Sequence, residues 1–457
     1  MATTGTIERL TERVAGAVIA RDDPRYDEAR RVYNAMIDRR PEVVVQCTST
    51  ADVQAAVDYA RSNDLPVAVR GGGHSVPGFG TVDDGVVADL AGMQAVSVDP
   101  TARTARSQGG ATWGIFNDAT HAHGLATTGG IISTTGVGGL TLGGGIGYLA
   151  RGVGLSCDNL VSAEVVTADG RALRASEQEN EDLFWAIRGG GGNFGVATEL
   201  EFSLHPVAEV YGGPLLYELE DAATVLRFYA DFIRDAPEEF GGFPAWQIAP
   251  PLPFIPEERH GEPFLVFVAC WAGDVDQGEA MLQPLRDVAP VVAEHVGPVP
   301  YPALNSAFDA LVPAGLQHYW KANFVKELTD EAIAAHLEHG PKVPTVNSTV
   351  HIYPINGAAH RVAPDETAFA YRDANFATVI AGMWPDPAEN EANTAWVRGF
   401  YDATAPLSEE GGYINFMADD DQDRIRTNYK GNYDRLVEIK RKYDPDNHFR
   451  LNQNIKP

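Results

Sequence analysis

Cysteine is scarce in this chain. Its 457 residues hold three, Cys47, Cys157 and Cys270, far apart and odd in number, so no disulfide framework holds the fold together. Positive charge is also short: 35 Lys and Arg stand against 63 Asp and Glu, a formal net charge of −28. Such a surface repels phosphate backbones and anionic lipid, which argues against nucleic acid or membrane as partner and favours plain solubility. Long apolar runs are missing, so no segment spans a bilayer. The stretch Met1 to Ile19 mixes Glu and Arg with apolar residues and lacks a signal-peptide core. The default expectation is a cytoplasmic protein. A metal centre is not expected, because His121 and His123 fall on different faces of a helix and no carboxylate accompanies them.

Glycine, in contrast, is plentiful and clustered. The first cluster is Arg70-Gly71-Gly72-Gly73-His74-Ser75, directly after the apolar run Leu65 to Val69. Three glycines cannot pack as a strand, but they allow positive φ and let main-chain N–H groups approach an anion. His74 sits at the end of that turn, so an imidazole is held beside a phosphate-bearing ligand. The second cluster runs from Gly129 to Gly147, with Ser133, Thr134, Thr135 and Thr141 among the glycines. Interleaved Ile131, Ile132, Val137, Leu140, Leu142 and Ile146 want burial, so this is no loose loop. The third is Arg188 to Gly195. It matches G-x-G-x-x-G from Gly190, yet a helix is predicted before it and a strand, Val196 to Leu204, after it. That order is the reverse of a dinucleotide fingerprint, and a nicotinamide site is rejected.

Arg70 to Ser75 resembles the Arg-(Ser)-Gly-Gly-His motif of FAD-linked oxidases of the vanillyl-alcohol oxidase (PCMH-type) superfamily, berberine-bridge-enzyme-like branch. The resemblance implies that His74 bonds covalently to the 8α-methyl carbon of the flavin. It places Arg70, Gly71, Gly72, Gly73 and Ser75 around FAD, with Gly129, Thr134, Thr135, Gly138, Gly139, Gly144 and Gly147 of the second cluster. Val196 follows the third cluster, which lies against the flavin in this family. The tail His448 to Ile455 resembles the family's C-terminal signature and brings Asn452 to the cofactor, as Tyr413 to Phe416 brings Asn415. Members with two flavin bonds carry Cys-Pro-Thr-Val-Gly-Val-Gly-Gly-His where this chain reads Ile132 to Leu140. Ile132 replaces the second linking cysteine, so one covalent bond is implied. Thr135 falls at the family's oxygen-access position.

The implied fold is α+β: a two-lobed PCMH-type FAD-binding domain over 1–206, a substrate domain over 207–409 with an antiparallel sheet covered by helices, and a segment 410–457 that returns to the first domain. Residues from about Arg9 to Arg39 read as helix and then polar linker, with Thr112 as N-cap of a later helix. Tyr413 to Phe416 reads as a strand and Asp423 to Tyr443 as one helix. The implied reaction is oxidation of a C–OH or activated C–H of a small organic substrate such as a sugar, alcohol or natural product, with O₂ as acceptor. A flavin dehydrogenase with another acceptor, or a flavoprotein without turnover, is the alternative. Many relatives use the second tyrosine of Tyr-x-Asn-Tyr as base, but here that residue is Phe416; the alternative glutamate, near Ala377, is also missing. Tyr413, Tyr148 and Tyr353 remain as candidate catalytic residues, with His351 beside the last.

Overall fold

The structure, a computed structural model, describes residues 4–457. Its first sheet orders four strands Ala17–Ala20, Val43–Gln46, Val86–Asp89 and Val67–Arg70, the last three parallel. Val43, Val44 and Val45 are fully buried, as strands covered on both faces require. Helix Thr50–Ser62 links two of these strands, and the Ser49 side chain caps it by accepting from the Asp52 N–H. The strand Ala17–Ala20 lies inside the stretch read as helix and linker. Antiparallel pairing to Val43–Gln46 overrides the weak local pattern of so short a segment.

A second sheet is antiparallel and orders Val96–Asp99, Thr104–Gln108, Val196–Ser203, Leu160–Val166 and Ala172–Ser176. The third is an eight-stranded antiparallel sheet built from residues 209–384. Its period-two alternation sorts side chains cleanly. Leu215, Tyr217, Trp246, Leu265, Val350 and Ile380 face the helices Ala222–Asp235, Gly278–Val288, Asp330–His339 and Asn390–Thr404. Leu216, Phe243, Ala245, Val266, His351, Tyr353 and Val379 point the other way, into a cavity.

Three further expectations need correction. Thr112 stands at the N-cap position but makes no side-chain cap; the first helical N–H groups, of Trp113 and Gly114, donate instead to Thr135 O and Ser133 O at 2.9 and 2.7 Å. Tyr413 to Phe416 is a 3₁₀ turn over Ile414–Phe416, because the Tyr413 and Asn415 side chains turn back onto the second glycine cluster. The long C-terminal helix is broken into Ile425–Tyr429 and Tyr433–Tyr443. The break falls at Lys430, with φ 44°, where Asn432 donates to Pro364 O at 2.7 Å and Thr367 O at 3.1 Å.

The last turns of the tail are fastened by a buried cation. Lys440 Nζ donates to Asp444 Oδ2 at 2.5 Å, Asn193 O at 2.8 Å and Phe449 O at 2.9 Å, with both charged side chains wholly buried. Burial pulls the Lys440 pKa down, and Asp444 opposes that by holding the proton in place. Removing one partner of such a pair strands the other charge. Lys440→Met is therefore expected to lose about 3–5 kcal/mol of stability, read as a lowered urea midpoint. The double change Lys440→Met with Asp444→Asn, which removes the stranded charge but keeps an acceptor for the His448 and Phe449 N–H groups, should recover part of the loss.

Candidate active site

The three glycine clusters meet at one place. Gly72 and Gly136 touch main chain to main chain: a Cβ on Gly72 would lie 2.8 Å from Gly136 Cα, and one on Gly136 would lie 2.5 Å from Gly72 N. No side chain fits between them. The first turn is anchored from below by Arg70, whose guanidinium pairs with Asp89 at 2.8 Å and donates to Ala29 O and Arg31 O. Arg70 thus holds the loop; its charge is already matched.

Above this junction opens a cavity of about 390 Å³. Of the residues singled out from the sequence, Arg70, Gly71, Gly72, Gly73, His74, Ser75, Thr135, Gly138, Gly139, Asn415, Asn452 and Tyr353 line it. Gly129, Thr134, Gly144, Gly147, Val196, Tyr148 and Tyr413 do not. Gly129 is small because the Trp113 indole lies 2.5 Å from where its Cβ would be, and Gly147 because it packs on Gly130 main chain. Gly144 has φ +127° and faces Phe369. Val196 is a core residue, 1% exposed. The cavity also has walls that can take polar groups. A Cβ on Gly139 or Gly192 would meet nothing within 4 Å, so both backbones face open space. Asn452 Oδ1 and Gln453 Nε2 are buried beside it without a protein partner.

His74 is held from two sides. Its ring stacks on Tyr33 with centroids 3.8 Å apart, and Nε2 lies 3.0 Å from Thr134 Oγ1. Burial pulls its pKa down to about 4, against the Thr134 bond, so the imidazole is neutral at ordinary pH. Tyr33 was not singled out from the sequence; it sits in a polar stretch, and no motif marks it. Thr134 contributes through His74.

The three tyrosine candidates separate. Tyr413 lies outside the cavity, and its Oη accepts from Gly145 N at 2.8 Å, Ile146 N at 3.3 Å and Asn415 Nδ2 at 2.8 Å. Burial raises its pKa to about 12 despite these N–H groups. It braces the second cluster. Tyr148 is buried under Phe243, away from the cavity, with no partner for its hydroxyl. Tyr353 lines the cavity and hydrogen-bonds His351 Nδ1 two residues back on the same strand face. The Tyr353 ring stacks on Phe416 at 5.9 Å. Burial raises the Tyr353 pKa well above 10 and lowers that of His351 to about 3.

Comparison with known proteins now adds identity. Residues 41–176 match the family profile of the FAD binding domain, and residues 412–456 that of berberine and berberine-like proteins. The FAD-linked oxidoreductase YgaK of Bacillus subtilis, itself uncharacterized, is 33% identical over 97% of this chain and 98% of its own. The chain belongs to the berberine-like FAD-linked oxidoreductases. The crystal structure of 6-hydroxy-D-nicotine oxidase from Arthrobacter nicotinovorans superposes with TM-score 0.86 at 27% identity, covering 97% of this chain and 98% of that one. Glucooligosaccharide oxidase from Acremonium strictum, described with a 6-S-cysteinyl, 8α-N1-histidyl FAD, has the same fold at TM-score 0.85 and 24% identity, covering 98% of each chain.

This oxidoreductase therefore takes FAD, and the glycine backbones and unpartnered amides of the cavity fit so long and polar a group. The helix Glu181–Ile187 before Gly190 and the strand Val196–Ser203 after it show the third cluster in the order that excludes a dinucleotide fingerprint. Among the described residues, no helix is long and apolar enough to cross a membrane. A Gly136→Ala substitution should force the Gly72 turn away and keep FAD from being taken up. The purified protein is expected to lose most of its absorbance near 450 nm while keeping its far-ultraviolet circular dichroism. Gly431→Ala, where a Cβ meets nothing within 4 Å, should keep both.

Proposed function

We propose that this enzyme oxidises a substrate alcohol on singly tethered FAD, with His74 as the tether, the Tyr353–His351 pair as proton acceptor and dioxygen as the final electron acceptor. The observation that carries it is the pair itself. Tyr353 is the one candidate phenol on the cavity wall, it bonds a neutral imidazole, and it lies against the ring of Phe416, where the family's base is missing.

FAD, when bound, supplies a two-electron acceptor for the hydride that leaves the substrate carbon. The protein's part is the proton. As the substrate O–H breaks, its proton goes to Tyr353 Oη and the phenol's own proton passes to His351 Nδ1. Burial keeps His351 neutral and opposes its becoming imidazolium, so the imidazole takes the phenol's proton in the same step as the hydride leaves and does not act as a free-standing base. The substrate C–H and O–H are both lost, a C=O is formed, and dioxygen carries the two electrons and two protons away as hydrogen peroxide.

For the tether, we assign the tautomer in which Nε2–H donates to Thr134 Oγ1, which leaves the Nδ1 lone pair as nucleophile, and Tyr33 fixes the ring plane. Ile132 offers no sulfur for a second bond, and Cys157 is wholly buried with its thiol pKa pushed up by burial. We also assign 1–206 and 410–457 to the flavin-holding part and 207–409 to the part that covers it. The tail residues Ile425, Leu436, Ile439 and Ile455 support this, since they join the core around Trp113 and Phe202.

Acid precipitation should leave the yellow colour on the wild-type protein and release it from His74→Ala; colour lost from the wild type refutes the tether. Anaerobic reduction should be followed with whichever alcohol in a panel of aromatic, aliphatic and sugar alcohols bleaches the flavin fastest. Tyr353→Phe is expected to slow that step by about 10²–10⁴-fold with unchanged flavin content. An unchanged rate would remove Tyr353 from the chemistry, and turnover without peroxide would favour a dehydrogenase.

A further inference from the structure

The part of the cavity above the glycine floor has a distinct chemical character. Among the described residues, no Asp, Glu or Lys lines it, and the guanidinium of Arg70, at its base, is matched by Asp89. A cationic amine would find no counter-charge in a dry pocket, where an unpaired charge is very costly. An anion would have to approach against a net charge of −28.

The neutral polar groups on the roof are few and mostly engaged. Gln247 Nε2 donates to Val346 O at 2.5 Å, Asn347 Nδ2 to Leu311 O at 2.7 Å, and Thr349 Oγ1 to Trp246 O at 3.1 Å. These partners are main-chain carbonyls, which fixes each amide with nitrogen toward the carbonyl. A sugar brings many hydroxyls, and each one buried without a partner costs about 1–3 kcal/mol. What is left on this roof, the acceptor oxygens of these three groups and the unpartnered Trp320 Nε1, is too little for a sugar's full set of hydroxyls.

What it does offer is aromatic surface. Phe243 and Tyr353 lie with centroids 4.6 Å apart, Tyr353 and Phe416 5.9 Å, and Phe416 and Trp320 6.0 Å. All four line the cavity, and the run includes Tyr353 of the Tyr353–His351 bond, with Phe243 5.1 Å from the His351 ring. Small Ala245 and Ala381 leave room beside it, while Pro250, Leu252 and Phe254 continue the apolar wall.

Building on the proposed alcohol oxidation, we infer that the substrate is an uncharged aryl or polycyclic secondary alcohol, held by the Phe243–Tyr353–Phe416–Trp320 run with a single hydroxyl at Tyr353. Neither a sugar nor a protonated amine belongs in this site. Oxidation gives the aryl ketone, which keeps the same apolar contacts and serves as a binding probe that does not depend on turnover.

The test is a titration of the holoenzyme at neutral pH with 1-indanone, 9-fluorenone, cellobiose and protonated 1-phenylethylamine, read by the flavin absorption band and tryptophan fluorescence. At least one ketone should bind more than about tenfold tighter than both cellobiose and the ammonium ion, the scale set by apolar pocket contacts. Ala245→Leu and Ala381→Leu, which fill the space beside the aromatic run, should each weaken ketone binding with flavin content unchanged. Cellobiose or the ammonium ion binding as tightly as the ketones overturns the inference, as does an absence of saturable ketone binding. Anaerobic bleaching by 1-indanol and 9-fluorenol is scored separately. Tight ketone binding without bleaching upholds the substrate class and refutes the oxidation reading. Bleaching by cellobiose with weak ketone binding does the reverse.

Discussion

The contact on which the site depends is between two backbones. Gly72 and Gly136 approach so closely that no side chain, even a methyl, fits at either position. That approach brings the turn after a parallel strand against the start of the short helix Val137–Leu142, and the facing amides of both become the floor of one cavity. Much else serves to hold the two segments there. Arg70 and Asp89 stand opposite each other in adjacent strands and fix the first turn from beneath. Tyr413 and Asn415 reach in from the tail and hold the second, by accepting from Gly145 N and donating to Leu140 O.

This explains why the tail must return across the whole chain. Residues 412–456 supply no strand to any of the sheets. They supply clamps instead: Tyr413 on the second cluster, and Lys440 on the carbonyls of Asn193 and Phe449. Asn193 in turn donates to Gly190 O and Gln453 O and accepts from Ile455 N, so the third cluster and the last residues form one buried network. An open, glycine-rich floor has little side-chain packing of its own. Fully satisfied polar clamps give it a fixed shape where apolar contact cannot.

What could be read from the sequence follows from the range of the forces involved. The glycine clusters were legible because backbone approach leaves no alternative residue, and helix Glu181–Ile187 or strand Leu160–Val166 because periodicity is local. Ala17–Ala20, the turn at Ile414–Phe416 and the break at Lys430 were not, since each is decided by a partner far away in the chain. The same distinction divides the site residues. Glycines in one cluster looked alike as sequence, yet Gly139 opens to the cavity while Gly129 and Gly144 make room for Trp113 and Phe369. Tyr33 carries no motif at all, and only the fold sets it on His74.

The three tyrosines differ in what their hydroxyls meet. A base at position 416 would act from a turn at the end of the chain. Phe416 keeps the ring that packs there, against Tyr413, Trp320 and Tyr353, and omits the hydroxyl. The neighbouring sheet face can supply one because strand residues two apart share a side: His351 and Tyr353 meet over the cavity, whereas Val350 and Ile352 are committed to the helices behind. Tyr413 could not do the same, since its oxygen already takes three N–H groups and its removal would loosen the floor. Of the three, Tyr353 alone is hydrogen-bonded to an imidazole; Tyr413 meets backbone and amide N–H groups, and Tyr148 has no partner. The sheet alternation that builds the roof thus also sets His351 and Tyr353 on the cavity side.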